Sequence, residues 1–314
     1  MNNKKLTMLK YIFEILLIIS LSFMFYLNQP IVSKKVVFIP SGTINNIISH
    51  LSQKGFDLSK LDSLLLRAIG LPQSGWIDIG TNSLTRADFL YKLSNAKAAL
   101  RNITLIPGET TYIFLNQLSA NLKLDREVLQ EEYDKQSKIQ EGAFVPNTYR
   151  IPIGITESML IEILLKESSK QMKNLSNKIF GSYNEKKWFN YISMASIIQK
   201  ESANNEEMPL VSSVIYNRIK KGMKLQMDGT LNYGKYSHIK ITPKRIREDN
   251  SIYNTYKNKG VPPIPVCNVS IDAIRAAIFP AETDYLYFMK SKSGTHNFAC
   301  NYSTHLDNIR HATK

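Results

Sequence analysis

The residue best suited to chemistry in this sequence is a glutamate at the end of an apolar helix face. Apolar residues recur at helical spacing within 188–204, at Tyr191, Met194, Ile197 and Ile198. Glu201 continues that face, and a carboxylate there is costly unless it is paired or protonated. Desolvation would raise its pKa, which suits proton exchange near neutral pH. A helix-end glutamate that reaches solvent or pairs with an arginine is the structural alternative, and spacing alone does not exclude it.

Polar residues follow Glu201 on a second predicted helix and on a turn. The helix begins near Pro209, ends at Gly222 and carries Asn217 and Arg218. The turn Leu225–Thr230 adds three further polar side chains, those of Gln226, Asp228 and Thr230. The residues alone leave two roles open for this set: contact with a ligand, or ordinary ion pairing, capping and solvation.

The C-terminal third is rich in hydroxyl, amide and aromatic groups. The residues of interest there are Tyr253, Asn254, Tyr256, His296, Phe298 and His305. A proline-rich loop at Gly260–Pro265 precedes a predicted helix at Ile271–Ile278 and a predicted strand at Asp284–Met289. Two histidines nine positions apart are a poor metal pattern, and the sequence has no HExxH, GxSxG, P-loop or GxGxxG motif. We therefore expect neither a metal nor a cofactor.

Length, composition and net charge exclude some classes of protein. The 314 residues correspond to about two globular domains, and 43% hydrophobic with 21% charged residues excludes wholesale disorder. Forty Lys and Arg against 26 Asp and Glu give a net charge of +14, which favours a polyanion, an anionic membrane or an acidic polymer as neighbour. Two cysteines are too few for a disulfide scaffold, and Cys267 and Cys300 are equally compatible with a disulfide or with two free thiols.

The N-terminus predicts a membrane anchor. The almost wholly apolar run from Tyr11 to Leu27, with its apolar flank, reaches about 20 residues, enough to cross a bilayer. Asn28–Val32 offers no small-residue cleavage site, which favours an uncleaved anchor over a signal peptide. Lysines before the run place the N-terminus in the cytoplasm and the remaining chain outside it. Lys34 and Lys35, just after the run, weaken this orientation argument.

The rest of the chain predicts an α+β fold. A strand, a Pro-Gly turn with threonine as N-cap and a helix follow one another after Val36, and the phrase recurs after Leu105. Two copies are a weak internal repeat, and two unrelated turns are the alternative. Strands and helices mix without regular alternation. We predict a cytoplasmic tip and anchor at 1–30, an N-terminal extracytoplasmic subdomain at 31–140 and a catalytic domain at 141–314.

These phrases together resemble one family, the membrane-anchored endolytic murein transglycosylases of the MltG (YceG-like) type. The matching phrases, in order, are Ala195–Ala203, Val214–Arg218, Leu225–Thr230, Tyr253–Tyr256, Gly260–Pro265, Tyr285–Phe288 and His296–Phe298 with His305. The resemblance covers nearly the whole chain and implies a transmembrane helix and a small LysM-like α/β subdomain before a larger α+β catalytic domain. The family commonly has proline after the aspartate of the third phrase, where this sequence has Gly229.

The resemblance implies the roles of the residues. It makes Glu201 the catalytic acid and base and places Gln226, Asp228 and other polar residues near the glycan. The implied substrate contacts are Gln226, Asp228, Thr230, Asn217, Arg218, Tyr253, Asn254, Tyr256, His296 and Phe298. The implied reaction cleaves MurNAc-β-1,4-GlcNAc bonds to 1,6-anhydroMurNAc ends and terminates nascent strands. The implied location is the bacterial inner membrane, with an extracytoplasmic catalytic domain and peptidoglycan synthases as partners.

Two other functions remain open. One is a muramidase that uses Glu201 with Asp228, Glu206 or Glu207 as the second carboxylate. The other is a non-enzymatic peptidoglycan-binding scaffold. Nucleic-acid binding is not expected, because the anchor argues against it and the sequence has no aromatic-plus-basic RNA motif.

Overall fold

The computed structural model describes residues 3–313, which divide into two compact units. The first unit holds the chain up to Arg101 together with Arg150–Gly154. The second holds Asn102–Tyr149 and the chain from Ile155 onward. Helices and strands are mixed in both units, and this confirms the predicted α+β class.

The first unit begins with a long apolar helix and continues with short strands and helices. Its elements are α1 (Asn3–Asn28), β1 (Pro30–Val32), β2 (Val36–Ile39), α2 (Ile44–Gln53), α3 (Lys60–Ile69), β3 (Gly75–Asp78), β4 (Ser83–Thr85) and α4 (Arg86–Asn95). Among the described residues, α1 is the one helix long and apolar enough to cross a membrane, over Lys5–Asn28. Its apolar side chains are exposed, as a lipid-facing helix requires.

Two antiparallel strand pairs and three helices enclose the core of the first unit. Strand β1 pairs with β4 and β2 with β3, in a register that sets Phe38 opposite Trp76. Helix α2 starts at Thr43, whose side chain accepts the Asn46 amide as the sequence predicts. The core side chains include Ile39, Leu51, Leu66, Ile77 and Phe89.

An ion cluster near the end of α1 combines a buried arginine, a buried aspartate and an exposed aspartate. The Arg86 guanidinium lies 2.7 Å from Asp62 and 2.8 Å from Asp57, and it sits 4.3 Å from the centre of the Tyr26 ring. The side chain of Asp62 is fully buried and also accepts the Ser59 amide to cap α3. The cluster therefore joins α1, α3 and α4 through one buried cation.

The remaining helices and strands belong to the second unit, except that β5 and β6 each lie partly in the first. They are β5 (Leu100–Thr104), α5 (Thr111–Leu122), α6 (Arg126–Gln136), β6 (Thr148–Pro152), α7 (Glu157–Phe180), α8 (Glu185–Glu201), α9 (Met208–Lys220), α10 (Pro243–Glu248), α11 (Ile271–Ile278), β7 (Tyr287–Lys290), β8 (His296–Ala299) and α12 (Tyr302–Thr313). Strands β5 and β6 pair, and the division between the units crosses both strands. Strands β7 and β8 form an antiparallel hairpin.

Helix α8 lies at the centre of the second unit. Asn184 caps its start, and eight of its residues, from Trp188 to Ile198, are buried. Helices α9 and α11 contribute apolar residues such as Val211, Ile215 and Ile274 to the same core. A helix enclosed in this way holds its last residue, Glu201, in a fixed position.

The division of the chain differs from the predicted boundary between residues 140 and 141. The second strand–helix phrase packs with the second unit rather than with the first, because Phe114 and Tyr133 both contact Phe144. The buried carboxylate of Glu141 also accepts the Thr111 amide and hydroxyl at 2.9 and 2.6 Å. Residues 102–140 therefore belong to the same unit as Glu201.

Candidate active site

Glu201 is the last residue of α8, and its carboxyl group is half-buried. Its Oε1 atom accepts the amide N–H of Gly229 at 2.6 Å. Burial raises the pKa of Glu201 to about 7, against opposing effects from the Gly229 amide and Arg218, and the negative charge of Asp228 adds to the rise. The predicted raised pKa thus follows from the position of Glu201 at the end of a buried helix face.

The turn after α9 brings Asp228 and Gly229 next to Glu201. Asp228 begins a short 3-10 helix, Asp228–Leu231, and its exposed carboxylate accepts the Tyr256 hydroxyl at 2.7 Å. Burial, followed by the hydrogen bond to Asp228, raises the pKa of Tyr256 well above its usual value. Tyr256 therefore remains a neutral hydrogen-bond donor at physiological pH.

These groups open onto a cavity of about 450 Å³. Its lining combines acidic, basic and aromatic side chains: Glu201, Arg218, Leu225, Gln226, Met227, Asp228, Tyr256, Tyr287, Phe288, Met289, Lys290, His296, Tyr302, His305 and Ile309. The volume suits a small polar ligand or a sugar of a longer chain. Six of the predicted site residues share this lining: Glu201, Arg218, Gln226, Asp228, Tyr256 and His296.

Arg218 lies at the floor of the cavity and is almost fully engaged by the protein. Its Nε donates to the Leu286 carbonyl at 2.6 Å, and Nη1 donates to the Leu225 carbonyl at 2.5 Å. Its guanidinium lies 5.2 Å from the centre of the Tyr287 ring. Arg218 therefore holds the turn and the β7 hairpin together beside Glu201, and its charge lowers the pKa of that carboxyl.

His296 lines the cavity, and the carboxylate of Glu207 holds it in place. Its Nδ1 and its backbone amide each lie 2.7 Å from the Glu207 carboxylate. Burial acts to raise the pKa of Glu207, but hydrogen bonds from the His296 side chain and backbone lower it below its usual value. Glu207 is thus ionised, and both of its carboxylate oxygens accept hydrogen bonds from His296.

The structure places the other predicted site residues outside the cavity lining. Asn217 donates to the carbonyls of Thr283 and Tyr285, at 2.7 and 3.0 Å. Fully buried Asn254 likewise donates to backbone carbonyls, those of Ile246 and Asp249, at 2.9 and 2.7 Å. Both amides therefore serve to hold loops of the second unit.

Three further predicted residues pack against other side chains. Thr230 is fully buried and bonds to the Met227 carbonyl at 2.7 Å. Tyr253 stacks on Tyr233 with ring centres 4.4 Å apart, and Phe298 packs 5.5 Å from Tyr285. These contacts stabilise the segments around the site, and the three side chains are not part of the cavity lining.

Most of the C-terminal wall of the cavity consists of residues that the sequence did not single out as site residues, although His305 had been noted. Tyr287 and Lys290 from β7 and Tyr302 and Ile309 from α12 line the cavity, together with His305, which stacks 5.2 Å from Tyr287. The segment 285–309 contains many aromatic and basic residues, and this composition is the available signal, but it does not say which residues face a site. That assignment needs the pairing of β7 with β8 and the return of α12.

The two cysteines differ in their exposure to solvent. Cys267 is buried and Cys300 exposed, and both thiols are free. Burial strongly raises the pKa of Cys267, so it remains a protonated thiol in the core. Of the two alternatives left open by the sequence, the structure contains two free thiols.

The fold and site define an α+β protein with a candidate membrane span and a glutamate of raised pKa, Glu201, in the lining of an open cavity. The model of the YceG-like family matches residues 37–311, and the chain therefore belongs to that family. This confirms the resemblance drawn from the sequence phrases.

Relatives with recorded activities match part of the chain. It is 31% identical over 185 residues to the endolytic murein transglycosylase of Bacillus subtilis strain 168, covering 58% of this chain and 50% of that protein. It is 34% identical over 177 residues to the endolytic murein transglycosylase of Streptococcus pneumoniae D39, covering 54% of this chain and 31% of that protein. The chain thus spans half or less of the length of these relatives.

A solved structure matches over a longer range. The crystal structure of a yceG-like protein from Listeria monocytogenes is 26% identical, with a TM-score of 0.57. The match covers 88% of this chain and 99% of that one.

Proposed function

We propose that this protein is a peptidoglycan lytic transglycosylase that cleaves MurNAc-β-1,4-GlcNAc bonds endolytically and leaves 1,6-anhydroMurNAc ends. The observation that carries the proposal is the half-buried carboxyl of Glu201, whose pKa near 7 leaves it about half protonated at neutral pH. The endolytic murein transglycosylases of B. subtilis and S. pneumoniae, to which the chain is similar, support the same reaction.

Glu201 serves both halves of the reaction. In the first half, its protonated carboxyl donates a proton to the glycosidic oxygen, the C1–O bond breaks, and the GlcNAc 4-hydroxyl departs. In the second half, the ionised carboxyl accepts the proton of the MurNAc C6 hydroxyl as that oxygen bonds to C1. No water is consumed, and Glu201 ends as it began. The nucleophile belongs to the substrate, so proximity replaces a bound water.

The neighbouring groups have roles that follow from their positions. Asp228, held by the Tyr256 hydroxyl, supplies negative charge near the positive charge that develops at C1. Gln226, Tyr256 and His296 present polar groups to the sugar along the cavity wall. Arg218, Asn217, Asn254, Thr230, Tyr253 and Phe298 act on the substrate through the shape of the loops that they hold.

The location and organisation of the protein complete the proposal. Helix α1 anchors it in the bacterial inner membrane with the N-terminus in the cytoplasm, so that both folded units face the wall. The order β2–α2–α3–β3 supports a LysM-like subdomain in the first unit. Strand cleavage beside the membrane would end the growth of nascent glycans, with peptidoglycan synthases as partners. The net charge of +14 favours the anionic membrane and wall.

A muramidase is the second candidate, because Asp228 lines the same cavity as Glu201 and so offers a second carboxylate. The other carboxylates that the sequence offers are less suitable: Glu207 is bound to His296, and Glu206 is exposed. A hydrolase adds water at C1, whereas a transglycosylase does not.

Digestion of purified sacculi in ¹⁸O-water separates these functions. We expect products that are lighter than hydrolysis products by one water and carry no ¹⁸O at MurNAc C1. The Glu201→Gln variant should release no fragments, and Glu206→Gln, which changes an exposed carboxylate of the same segment, should cleave like the wild type. Reducing MurNAc ends that carry ¹⁸O would establish a muramidase. Sacculi that are bound but not cleaved by the wild type would indicate the scaffold.

A further inference from the structure

Gly229 approaches Glu201 more closely than any other residue type allows. A Cβ atom built on Gly229 would lie 2.7 Å from the Lys200 Cβ and 2.8 Å from the Glu201 Oε1. The backbone of Gly229 is outside the left-handed region, so its conformation does not require glycine. The requirement comes from the contact itself, which lets the peptide backbone touch the end of α8.

The amide of Gly229 has no hydrogen-bond partner within its own helix and can therefore donate to Glu201. Gly229 is the second residue of the 3-10 helix Asp228–Leu231, and the first amides of a helix have no carbonyl partner within it. The amide instead donates to Glu201 Oε1 at 2.6 Å, a short hydrogen bond that strengthens when the carboxyl group is ionised.

The turn that carries Gly229 is held in place by hydrogen bonds to Thr255. The Gln226 amide donates to the Thr255 carbonyl at 3.2 Å, and the Met227 amide donates to the Thr255 hydroxyl at 3.0 Å. Thr230 and Thr255 are both buried, and Gln226 is held at a φ of 50°, which is rare for a residue other than glycine. The amide of Gly229 therefore has a fixed direction.

We propose that Gly229 is a positioning residue for the proton transfers of Glu201. Its amide occupies Oε1, so the exchangeable proton resides on Oε2, and the amide stabilises the carboxylate that remains after the leaving group takes that proton. The proposal rests on the proposed function for its catalytic meaning. The hydrogen bond and its effect on Glu201 are measurable without any substrate.

Other charged groups also act on Glu201, and the experiment must separate them from the amide. Asp228 raises the pKa of Glu201 and Arg218 lowers it. The remaining titratable groups of the cavity lining are Tyr256, Tyr287, Lys290, His296, Tyr302 and His305, and Lys200 precedes Glu201 on α8. A probe at the Gly229 amide is local to the bond in question.

The direct test is a pH titration of the full chain in detergent micelles, labelled with ¹⁵N at glycine. The sequence has 14 glycines, so the spectrum is simple, and the resonance of Gly229 is the one lost in Gly229→Ala. We expect its amide proton to move with pH, with a midpoint near 7, and to lose this dependence in Glu201→Gln. A Gly229 resonance that does not respond to pH, or responds equally in Glu201→Gln, overturns the proposal.

A pair of variants tests the consequence for Glu201. Alanine at position 229 adds a Cβ that would lie 2.8 Å from Glu201 Oε1 and so displaces the amide, whereas proline adds the same Cβ and also removes the N–H. Because both variants lose the hydrogen bond to the carboxylate, the proton affinity of Glu201 should rise about tenfold relative to the wild type. The alkaline limb of cleavage should move up by about one pH unit. A midpoint equal to that of the wild type in either folded variant contradicts the proposal.

The two experiments distinguish a failure of this proposal from a failure of the proposed function. If Gly229→Pro does not fold, the titration of the wild-type amide still decides the question. If the amide titrates with Glu201 but sacculi are not cleaved, the hydrogen bond stands and the transglycosylase assignment falls.

Discussion

Replacing Glu201 with glutamine should stabilise the protein at alkaline pH while abolishing glycan cleavage. Glutamine keeps an oxygen to accept the Gly229 amide and places an N–H where the protonated acid carries its proton. It therefore resembles protonated Glu201 at every pH. The wild type must instead ionise a carboxyl that burial disfavours, and the variant avoids that cost.

The size of the effect follows from the pKa of Glu201. The pKa rises from an ordinary 4.5 to about 7 on folding, so the folded protein binds more protons than the unfolded chain between these values. Stability of the wild type then falls as the pH rises from about 4.5 to 7 and levels off above. At pH 8 the difference of about 2.5 units corresponds to at most about 3 kcal/mol in favour of Glu201→Gln. Below pH 4.5 the two proteins should be equally stable.

Urea unfolding of both proteins at pH 4.5 and pH 8 measures this difference. Burial also raises the pKa of Glu141 to about 7, and that carboxyl lies in the same unit. Because it is present in both proteins, its contribution cancels in the difference. Glu206→Gln is the matched control, since its exposed carboxylate should give no pH-dependent change.

Two results would refute this reasoning. If Glu201→Gln were less stable than the wild type at pH 8, ionised Glu201 would be making a net favourable structural interaction. If the difference were equal at pH 4.5 and pH 8, the pKa of Glu201 would be unshifted, and its burial would not prepare it to act as an acid.

Three other substitutions test the surroundings of the site and the anchor. Tyr256→Phe removes the hydroxyl that donates to Asp228 at 2.7 Å, and kcat for fragment release should fall by about tenfold or more with little change in KM. Glu207→Gln weakens the support of His296 and should cost about 1–3 kcal/mol of unfolding free energy at pH 7. Arg86→Met leaves a buried carboxylate unpaired and should cost about 3–5 kcal/mol in urea unfolding.

The two predictions about stability each have a control. The pKa of Glu207 is lowered on folding, so its stabilisation is present above its usual pKa and disappears as the pH falls through the lowered value. The loss in Glu207→Gln should therefore vanish in strong acid, and a constant loss would mean that side-chain shape matters instead. Arg67→Met changes an exposed arginine of α3 and should alter stability by less than about 0.5 kcal/mol. A similar loss in both arginine variants would contradict the buried pair.

The sequence predicted those features that depend on local pattern. The apolar face of α8 ends at Glu201 as its spacing indicates, and helix α11 spans Ile271–Ile278 as predicted. The threonines of both Pro-Gly phrases, Thr43 and Thr110, cap the helices that follow them. Caps and helical stripes are interactions between residues close in sequence, so their signals are visible without a structure.

Element ends were less predictable where a distant partner decides them. The local pattern of Ala87–Leu100 favours a single helix, but α4 ends at Asn95, and Leu100–Thr104 forms strand β5 and pairs with β6. The acidic stretch Leu122–Tyr133 likewise favours a helix from its first residue, but α6 begins at Arg126, where Asp125 caps it. A strand that gains its hydrogen bonds 44 or more residues away cannot be distinguished from a helix end by local pattern.

By itself, then, the sequence determined the candidate membrane-spanning helix, the α+β class, the family and the position of Glu201 at the end of a buried helix face, because apolar spacing and ordered phrases are one-dimensional signals. Tertiary structure alone decided which polar residues share a cavity with Glu201. It turned Asn217 and Asn254 toward backbone carbonyls, added Tyr287 and Tyr302 through the β7–β8 hairpin and α12, and brought the Gly229 amide to 2.6 Å from the carboxylate. The physical reason is that the direction of a side chain within a folded unit depends on partners far away in the chain.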